Sequence, residues 1–253
     1  MQDKNTSFGF EDVSFEEKVR RVTNVFKSVA PHYDLMNDLM SGGLHRFWKD
    51  EMIKVVRPAP AGRYLDVAAG TGDIARRLKK ALPQDDTSEI YLCDRNPAML
   101  STGRDNALDQ GDVDRLTWVC GDAEALPFPD DSFDAYTIAF GLRNVSRLDL
   151  ALQEARRVLK PGGLFVCLEF SKVRHPLLRS FYQAYAFHII PKVGALVASD
   201  ADAYRYLVES IERFPEQSLL CAHMKDAGFG RVTYKNMTFG IVALHSGVKI
   251  ETK

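Results

Sequence analysis

The sequence predicts an α/β fold, a doubly wound, mostly parallel sheet of seven strands with N-terminal helices and a helical insert over the active site. From residue 63 onwards, short apolar runs alternate with helical segments of 10–15 residues, the pattern of βαβ units. The segment 63–75 passes from an apolar strand through an acid and small residues directly into a helix. The last two strand-like runs are joined by a tight connection, which predicts an antiparallel pair at one edge of the sheet.

The N-terminal region is expected to form a helical cap over residues 1–60. Residues 1–12 are polar and are expected to be loosely ordered. Apolar residues at helical spacing predict one helix over 14–28 and a second over 44–56. The second helix should stop before the prolines at positions 58 and 60, because proline cannot continue a helix.

Residues 61–173 are predicted to form the core, and residues 214–253 to complete it with a helix and an antiparallel strand pair. A Pro-Gly-Gly turn at 161–163 should precede the fifth strand. The predicted strands are 64–68, 90–93, 116–120, 135–140, 164–170, 231–237 and 240–245, and the helices between them are 74–82, 97–108, 148–159 and 217–227.

The insert at residues 174–213 is not required by a minimal alternating fold. It begins with an apolar, aromatic-rich segment that contains Leu177, Phe181, Tyr185, Phe187 and Ile190, followed by a helix over 201–213. These side chains could line a tunnel for a hydrophobic substrate or face a membrane surface. The alternative is that they cap the sheet or form a dimer face.

Composition excludes several classes of function. The chain has 253 residues and a formal net charge of −1, so it carries no electrostatic footprint for nucleic acid. Its four cysteines are scattered, and its six histidines lack metal-ligand spacing, so we predict no metal. The N-terminus lacks an apolar signal core, and no apolar run is long enough to span a membrane, which predicts a cytoplasmic protein.

The carboxyl ends of adjacent strands carry acids, where ligands bind in doubly wound sheets. Asp66 and the Gly70–Gly72 turn follow the first strand, Asp94 follows the second, and Asp122 and Ala123 follow the third. Gly70, Gly72 and Ala75 also satisfy the dinucleotide pattern, so an NAD enzyme is one interpretation.

S-Adenosylmethionine fits these residues better than a dinucleotide. Asp66 and Asp73 flank the turn, where two carboxylates would repel a pyrophosphate but attract an aminoacyl sulfonium. Asp94 can accept both ribose hydroxyls, and the carboxylate of Asp122 can accept from an adenine amine. An NAD enzyme would also need a site for a hydride partner, and the sequence offers no candidate.

Further motifs extend the pattern beyond a generic cofactor site. They are Tyr-Asp-Leu-Met-Asn-Asp at 33–38, Asn-Pro-Ala-Met-Leu at 96–100, Asp-Ala-Glu-Ala-Leu-Pro-Phe-Pro-Asp at 122–130, Phe-Gly-Leu-Arg-Asn-Val at 140–145, Leu-Lys-Pro-Gly-Gly at 159–163 and Leu-Glu-Phe-Ser-Lys at 168–172. Together they closely resemble the ubiquinone/menaquinone biosynthesis C-methyltransferases, from about Phe8 to the C-terminus. The motifs at 33–38 and 140–145 are the most specific of the set.

The resemblance implies a Rossmann-like methyltransferase fold and S-adenosylmethionine-dependent C-methylation of a polyprenylated benzoquinol or naphthoquinol. Thr71, Asp94 and the Asp122–Ala123 pair match cofactor-binding positions of the family. It further implies that Arg143, Asn144 and Tyr33 lie at the quinol ring, with Arg143 proposed to act through water. Guanidinium is a poor base, so we expect Arg143 to stabilise a phenolate, or else to form a structural ion pair. Ala68 stands where many methyltransferases carry the first glycine of the loop.

Other interpretations stay open. The chain could methylate another lipid or aromatic acceptor, or serve as a non-catalytic cofactor-binding scaffold for quinone enzymes. Transient contact with the inner face of a membrane, association with other enzymes of quinone biosynthesis, and a homodimer are all compatible with the resemblance.

Overall fold

The fold is seen in a computed structural model, which describes residues 5–29, 38, 41–173 and 201–251. Tyr33 and residues 174–200 of the predicted insert lie outside the described residues. In chain order the strands are β1 (Asn5–Phe8), β2 (Glu11–Ser14), β3 (Arg63–Val67), β4 (Glu89–Asp94), β5 (Leu116–Cys120), β6 (Phe133–Ala139), β7 (Leu159–Phe170), β8 (Phe229–Met237) and β9 (Val242–Lys249). The helices are α1 (Phe15–Val29), α2 (Leu44–Val56), α3 (Asp73–Ala81), α4 (Pro97–Asp109), α5 (Leu148–Val158), α6 (Ala201–Arg213) and α7 (Gln217–Asp226).

The seven-stranded sheet confirms the predicted fold class. Its strand order is β5-β4-β3-β6-β7-β9-β8, and the pairs from β5 to β7 are parallel. β9 runs antiparallel to both β7 and β8, so β8 and β9 form the expected antiparallel pair, with β8 at the edge. The chain order reverses beside β3, where β4 lies on one side and β6 on the other, which is the switch point where such sheets bind ligands.

Apolar clusters cover both faces of this sheet. One contains Trp48 and Met52 of α2 and Leu78 of α3, and the other contains Leu152 of α5 and Met224 of α7. β3 is buried on both faces apart from its first residue, which explains its nearly continuous apolar sequence. No helix within the described ranges is both long and apolar enough to cross a membrane.

Two local expectations were wrong. Residues 5–12, expected to be loosely ordered, instead belong to an antiparallel hairpin in which β1 pairs with β2 around Gly9, which has φ +58°. The ring of Phe8 stacks on Tyr206 of α6 at 4.1 Å between centroids. The hairpin is therefore held by packing on the helix, and its own sequence lacks the apolar alternation that would have predicted it.

The Pro-Gly-Gly segment at 161–163 does not precede the fifth core strand but lies inside β7. The register passes from Phe133 opposite Leu159 to Ala135 opposite Leu164, so residues 160–163 face a single residue of β6. Gly162 adopts φ +80°, which glycine tolerates and which accommodates the bulge.

His245 on β9 gives the fold a pH dependence. Its side chain is buried, with Nε2 3.1 Å from the Gln217 carbonyl oxygen, and burial lowers its pKa to about 4. The unfolded chain takes up this proton near pH 6.5, so the stability that His245 contributes is present above that pH and is lost as pH falls towards 4. Between pH 7.5 and pH 5, we expect the free energy of unfolding of the wild type to fall by about 2 kcal/mol more than that of His245→Gln. Urea unfolding at the two pH values measures both. Equal losses in the two proteins would show that His245 is not the group responsible.

Candidate active site

Two neighbouring cavities open at the carboxyl edge of the sheet, around the ends of β3, β4, β5 and β6. The larger, here called the central cavity, has about 840 Å³ of empty space and is open to solvent. The smaller, called the lysine cavity, has about 390 Å³ and lies between α2 and the loop after β3. Predicted site residues that line the central cavity are Gly70, Asp94, Asp122, Ala123 and Asn144.

Asp94 joins the loops that follow β3 and β4. Its Oδ2 accepts the backbone N–H of Gly70 at 2.8 Å, and its Oδ1 accepts that of Asn96 at 2.8 Å. Burial raises the pKa of Asp94, while these backbone N–H groups oppose the rise. Each carboxylate oxygen keeps a second lone pair, so Asp94 can still accept from a pair of ribose hydroxyls.

Asp122 is placed at the end of β5, beside Ala123 on the wall of the central cavity. Its Oδ1 accepts the backbone N–H of Glu124 at 3.0 Å, and its Oδ2 lies 3.2 Å from Nη1 of Arg95. These two contacts hold the carboxylate in one orientation, which suits a group that accepts a hydrogen bond from an amine.

Ala68 and Gly141 line the central cavity and lie very close to each other. Ala68 adopts φ +51°, a region that favours glycine, which accounts for the glycine that many methyltransferases carry there. A Cβ added to Gly141 would lie 2.4 Å from the Cβ of Ala68 and 3.3 Å from Cγ1 of Ile138. These two positions therefore cannot both carry a side chain without moving the backbone.

We expect Gly141→Ala to weaken binding of S-adenosylhomocysteine at least tenfold and to lower the free energy of unfolding by about 1–3 kcal/mol, because it overpacks this wall. Removing the opposing methyl in the double variant Ala68→Gly/Gly141→Ala should restore both quantities. Calorimetric titration and urea unfolding measure them. A double variant no better than Gly141→Ala alone would contradict the steric account.

Asp66 and Thr71 line the lysine cavity, together with Asp73 and Lys49. Asp66 is 1% exposed; its Oδ1 accepts the hydroxyl of Thr137 at 2.9 Å, and its Oδ2 has no hydrogen-bond partner. Burial raises the pKa of Asp66 to about 7. A buried carboxylate oxygen without a partner suits the ammonium group of an aminoacyl ligand, so the residues present fit the amino-acid end of S-adenosylmethionine.

Gly72 lines neither of these cavities. It adopts φ +84° at the start of α3, where an added Cβ would lie 2.7 Å from Leu92 and 3.0 Å from Trp118. Its contribution to the loop is close packing against the sheet.

Arg143 and Asn144 lie in a single 3₁₀ turn after β6 but face different surroundings. The side chain of Arg143 is 6% exposed, its Nη1 is 3.0 Å from Oε1 of Glu169, and it also donates to the Phe140 carbonyl oxygen. Its guanidinium carbon lies 5.7 Å from the Phe170 ring centre, and its Nε has no hydrogen-bond partner. The structure therefore shows Arg143 in an ion pair, with its buried Nε–H unpartnered.

Asn144 lines the central cavity and is anchored from the other side by Tyr206 of α6. The Tyr206 hydroxyl donates to Oδ1 of Asn144 at 3.0 Å. Burial raises the pKa of Tyr206, so the phenol stays protonated and able to donate. With its oxygen engaged, Asn144 has its amide N–H groups to offer to a ligand.

A model of the ubiE/COQ5 methyltransferase family matches residues 14–249. The chain belongs to this family. It is thus an enzyme of the methyltransferase class, with S-adenosylmethionine as the methyl donor, which confirms the resemblance drawn from the motifs. Within the part of the chain that the structure describes, no group of three or more His, Cys, Asp or Glu side chains is arranged to hold a metal ion.

Several relatives share about half of the sequence. The mouse 2-methoxy-6-polyprenyl-1,4-benzoquinol methylase, mitochondrial, is 50% identical over 97% of this chain and 84% of its own length. The rice protein of the same name is 50% identical over 97% of this chain and 88% of its own. These names place the relatives in mitochondria, whereas the sequence led us to expect a cytoplasmic protein; the compartment of this chain stays a prediction.

Solved structures show the same fold at low sequence identity. A SAM-dependent methyltransferase from Aquifex aeolicus aligns with a TM-score of 0.59 at 16% identity, over 80% of this chain and 89% of its own. The [4+2]-cyclase SpnF aligns with a TM-score of 0.60 at 21% identity, over 91% of this chain and 96% of its own. A fold shared with a cyclase does not determine the reaction, which has to be argued from the site.

Three residues of this site were missed as functional candidates. Lys49 lies on α2, before the predicted core, where no local pattern distinguishes it from a surface lysine. Tyr206 reads as an ordinary aromatic residue of a helix. Glu169 could have been found, because a single acid in the buried, otherwise apolar run 165–170 of β7 needs a charged partner.

Proposed function

We propose that this chain transfers the methyl group of S-adenosylmethionine to a ring carbon of a polyprenylated 1,4-benzoquinol. The observation that carries the proposal is the set of acids at adjacent strand ends, with the unpartnered buried oxygen of Asp66 among them. The relatives named as benzoquinol methylases match nearly the whole of this chain, which favours that acceptor.

The proposed cofactor residues lie in two cavities, and a different part of the methyl donor would bind in each. Asp94 would hold the ribose hydroxyls, Asp122 and Ala123 the adenine, and Asp66 with Thr71 the amino-acid end. When bound there, S-adenosylmethionine supplies an electrophilic methyl group for in-line transfer, so the protein contributes mainly alignment and exclusion of water.

On the acceptor side the reaction needs an electron-rich ring, which a quinol provides on losing a phenolic proton to water. After transfer the methylated ring carbon would lose its own proton to water, which restores the aromatic ring. The amide N–H groups of Asn144, on the wall of the central cavity, are donors that would stabilise the phenolate oxyanion. Because Arg143 is fixed as a cation beside Glu169, we assign it electrostatic stabilisation rather than proton removal. Tyr33 keeps the role at the ring that the family motif implies, as part of this proposal.

The test is transfer of labelled methyl from S-adenosylmethionine to chemically reduced demethyl-quinols with a short prenyl tail. Benzo and naphtho forms are run side by side, each with its oxidised counterpart. We expect methylation of the reduced benzoquinol, and none of the oxidised rings. Methylation of the naphthoquinol alone would change the acceptor, and no transfer from protein that binds S-adenosylhomocysteine would overturn the quinol assignment.

A matched pair of variants distinguishes a specific effect at the active site from a general effect of the substitution on the protein. Asn144→Ala should lose methyl transfer by at least tenfold, while binding of S-adenosylhomocysteine changes much less. Asn106, an exposed residue of α4, serves as the control, and Asn106→Ala should behave as the wild type. Membrane contact, a homodimer and association with other quinone enzymes remain further proposals; flotation with vesicles would test the first.

A further inference from the structure

We infer that Lys49, which comes from the N-terminal helix α2 rather than from the sheet, binds the carboxylate of the donor's methionine moiety. The inference rests on the proposed use of S-adenosylmethionine and adds a binding residue to it. It assigns Lys49 a selective role, in which it recognises the free carboxylate of the ligand and not the nucleoside.

The first argument is placement. Lys49 is 5% exposed, and its Nζ lies 2.7 Å from Oδ2 of Asp73 on the wall of the lysine cavity. A lysine is seldom buried to this extent unless its charge is paired. α2 packs against α3, and this contact brings Lys49 to the loop that follows β3.

The second argument is the balance of charge around the lysine cavity. Among the described residues that line it, Asp66 and Asp73 carry negative charge and Lys49 is the only cation. An amino-acid moiety is a zwitterion, so its ammonium needs an anion and its carboxylate a cation. Asp66 has the unpartnered oxygen that suits the ammonium, which leaves Lys49 for the carboxylate.

The third argument is that Lys49 is not needed to neutralise Asp73. The other oxygen of Asp73, Oδ1, accepts from Nε of Arg77 at 2.9 Å. An ammonium has three donors, and Asp73 takes one of those on Lys49, so donors remain for a carboxylate. Thr71, beside the start of α3, adds a hydroxyl, and the helix N-terminus favours negative charge.

The competing explanation is that Lys49 only ties α2 to α3 through Asp73. Ligand analogues separate the two explanations. S-Adenosylhomocysteine has both the amino group and the carboxylate, S-adenosyl-3-thiopropylamine lacks only the carboxylate, and 5′-methylthioadenosine lacks both. A lysine that contacts the carboxylate affects the first of these ligands alone, whereas a structural lysine affects all three together.

The experiment is calorimetric titration of these three ligands into the wild type, Lys49→Met and Lys54→Met. Lys54 is an exposed lysine of the same helix, paired with Glu51, and is the matched control. We expect Lys49→Met to weaken the binding of S-adenosylhomocysteine about 10–100-fold, because one charge-assisted contact is lost. The affinities of the other two ligands should stay within about twofold of the wild-type values. Lys54→Met should match the wild type for all three.

Three results would overturn the inference. They are an equal loss for all three ligands in Lys49→Met, no loss for any of them, and a wild type that does not prefer S-adenosylhomocysteine over S-adenosyl-3-thiopropylamine by at least tenfold. The last requires no variant and so decides the matter even if Lys49→Met does not fold. A wild type that binds none of the ligands would instead remove the proposed cofactor itself.

Discussion

Replacing Glu169 by glutamine is expected to lower the free energy of unfolding by about 3–5 kcal/mol, because it leaves the charge of Arg143 buried without its partner. Glu169 is 1% exposed and accepts from Nη1 of Arg143 at 3.0 Å and from the backbone N–H of Arg143 at 3.2 Å. Glutamine keeps the shape but not the charge. Urea unfolding at pH 7.5 measures the loss.

Glu89→Gln is the matched control for this substitution. Glu89 pairs with Arg63 at 2.7 Å, but the side chains are 53% and 39% exposed, so the loss from Glu89→Gln should stay below about 1 kcal/mol. Removing both buried charges in Arg143→Met/Glu169→Leu should recover much of the stability lost in Glu169→Gln, although not the methyl transfer. A loss from Glu169→Gln no larger than that from Glu89→Gln would show that the buried pair does not stabilise the turn.

Asp66→Asn is expected to weaken S-adenosylhomocysteine about 10–100-fold at pH 8, since the amide cannot balance the charge of an ammonium. Burial raises the pKa of Asp66 to about 7, and the ligand requires the ionised form. Wild-type affinity should therefore fall as pH drops below 7, while that of Asp66→Asn stays flatter. Titration at pH 6, 7 and 8 measures both trends.

The same carboxyl should also destabilise the fold at high pH. Because the pKa of Asp66 in the folded state is raised, the folded chain holds the proton longer than the unfolded chain, and stability falls as pH rises from about 4 to 7. Between pH 5 and pH 8, the free energy of unfolding of Asp66→Asn should rise by about 2–3 kcal/mol relative to that of the wild type. Asp105→Asn, at an exposed position of α4, should show no such gain. Parallel pH trends in Asp66→Asn and the wild type would mean that Asp66 is not the group that titrates.

Much of the cofactor side could be predicted because it follows from connectivity. The crossover connections of βαβ units make the strands parallel, so their carboxyl ends lie at one edge of the sheet and acids at those ends meet whatever their separation in the chain. Asp66, Asp94 and Asp122 were found in this way, and the structure places all three on the walls of the two cavities.

The parts that could not be predicted depend on contacts between distant segments. Lys49 reaches the site only because α2 packs on α3, and Tyr206 reaches Asn144 only because α6 and the β1–β2 hairpin close over the turn after β6. The hairpin itself is polar and short, so its order comes from contacts with distant segments, among them Phe8 stacking on Tyr206. Neither helical spacing nor strand alternation contains this information.

The contact between Ala68 and Gly141 also constrains how this sequence can change over time. A methyl group at position 141 costs least where position 68 is already glycine, so the two substitutions have a preferred order. In this chain, glycine at position 68 would make room for alanine at position 141, whereas the alanine that stands there does not. The geometry of this wall thus predicts epistasis between two positions that are 73 apart in the chain.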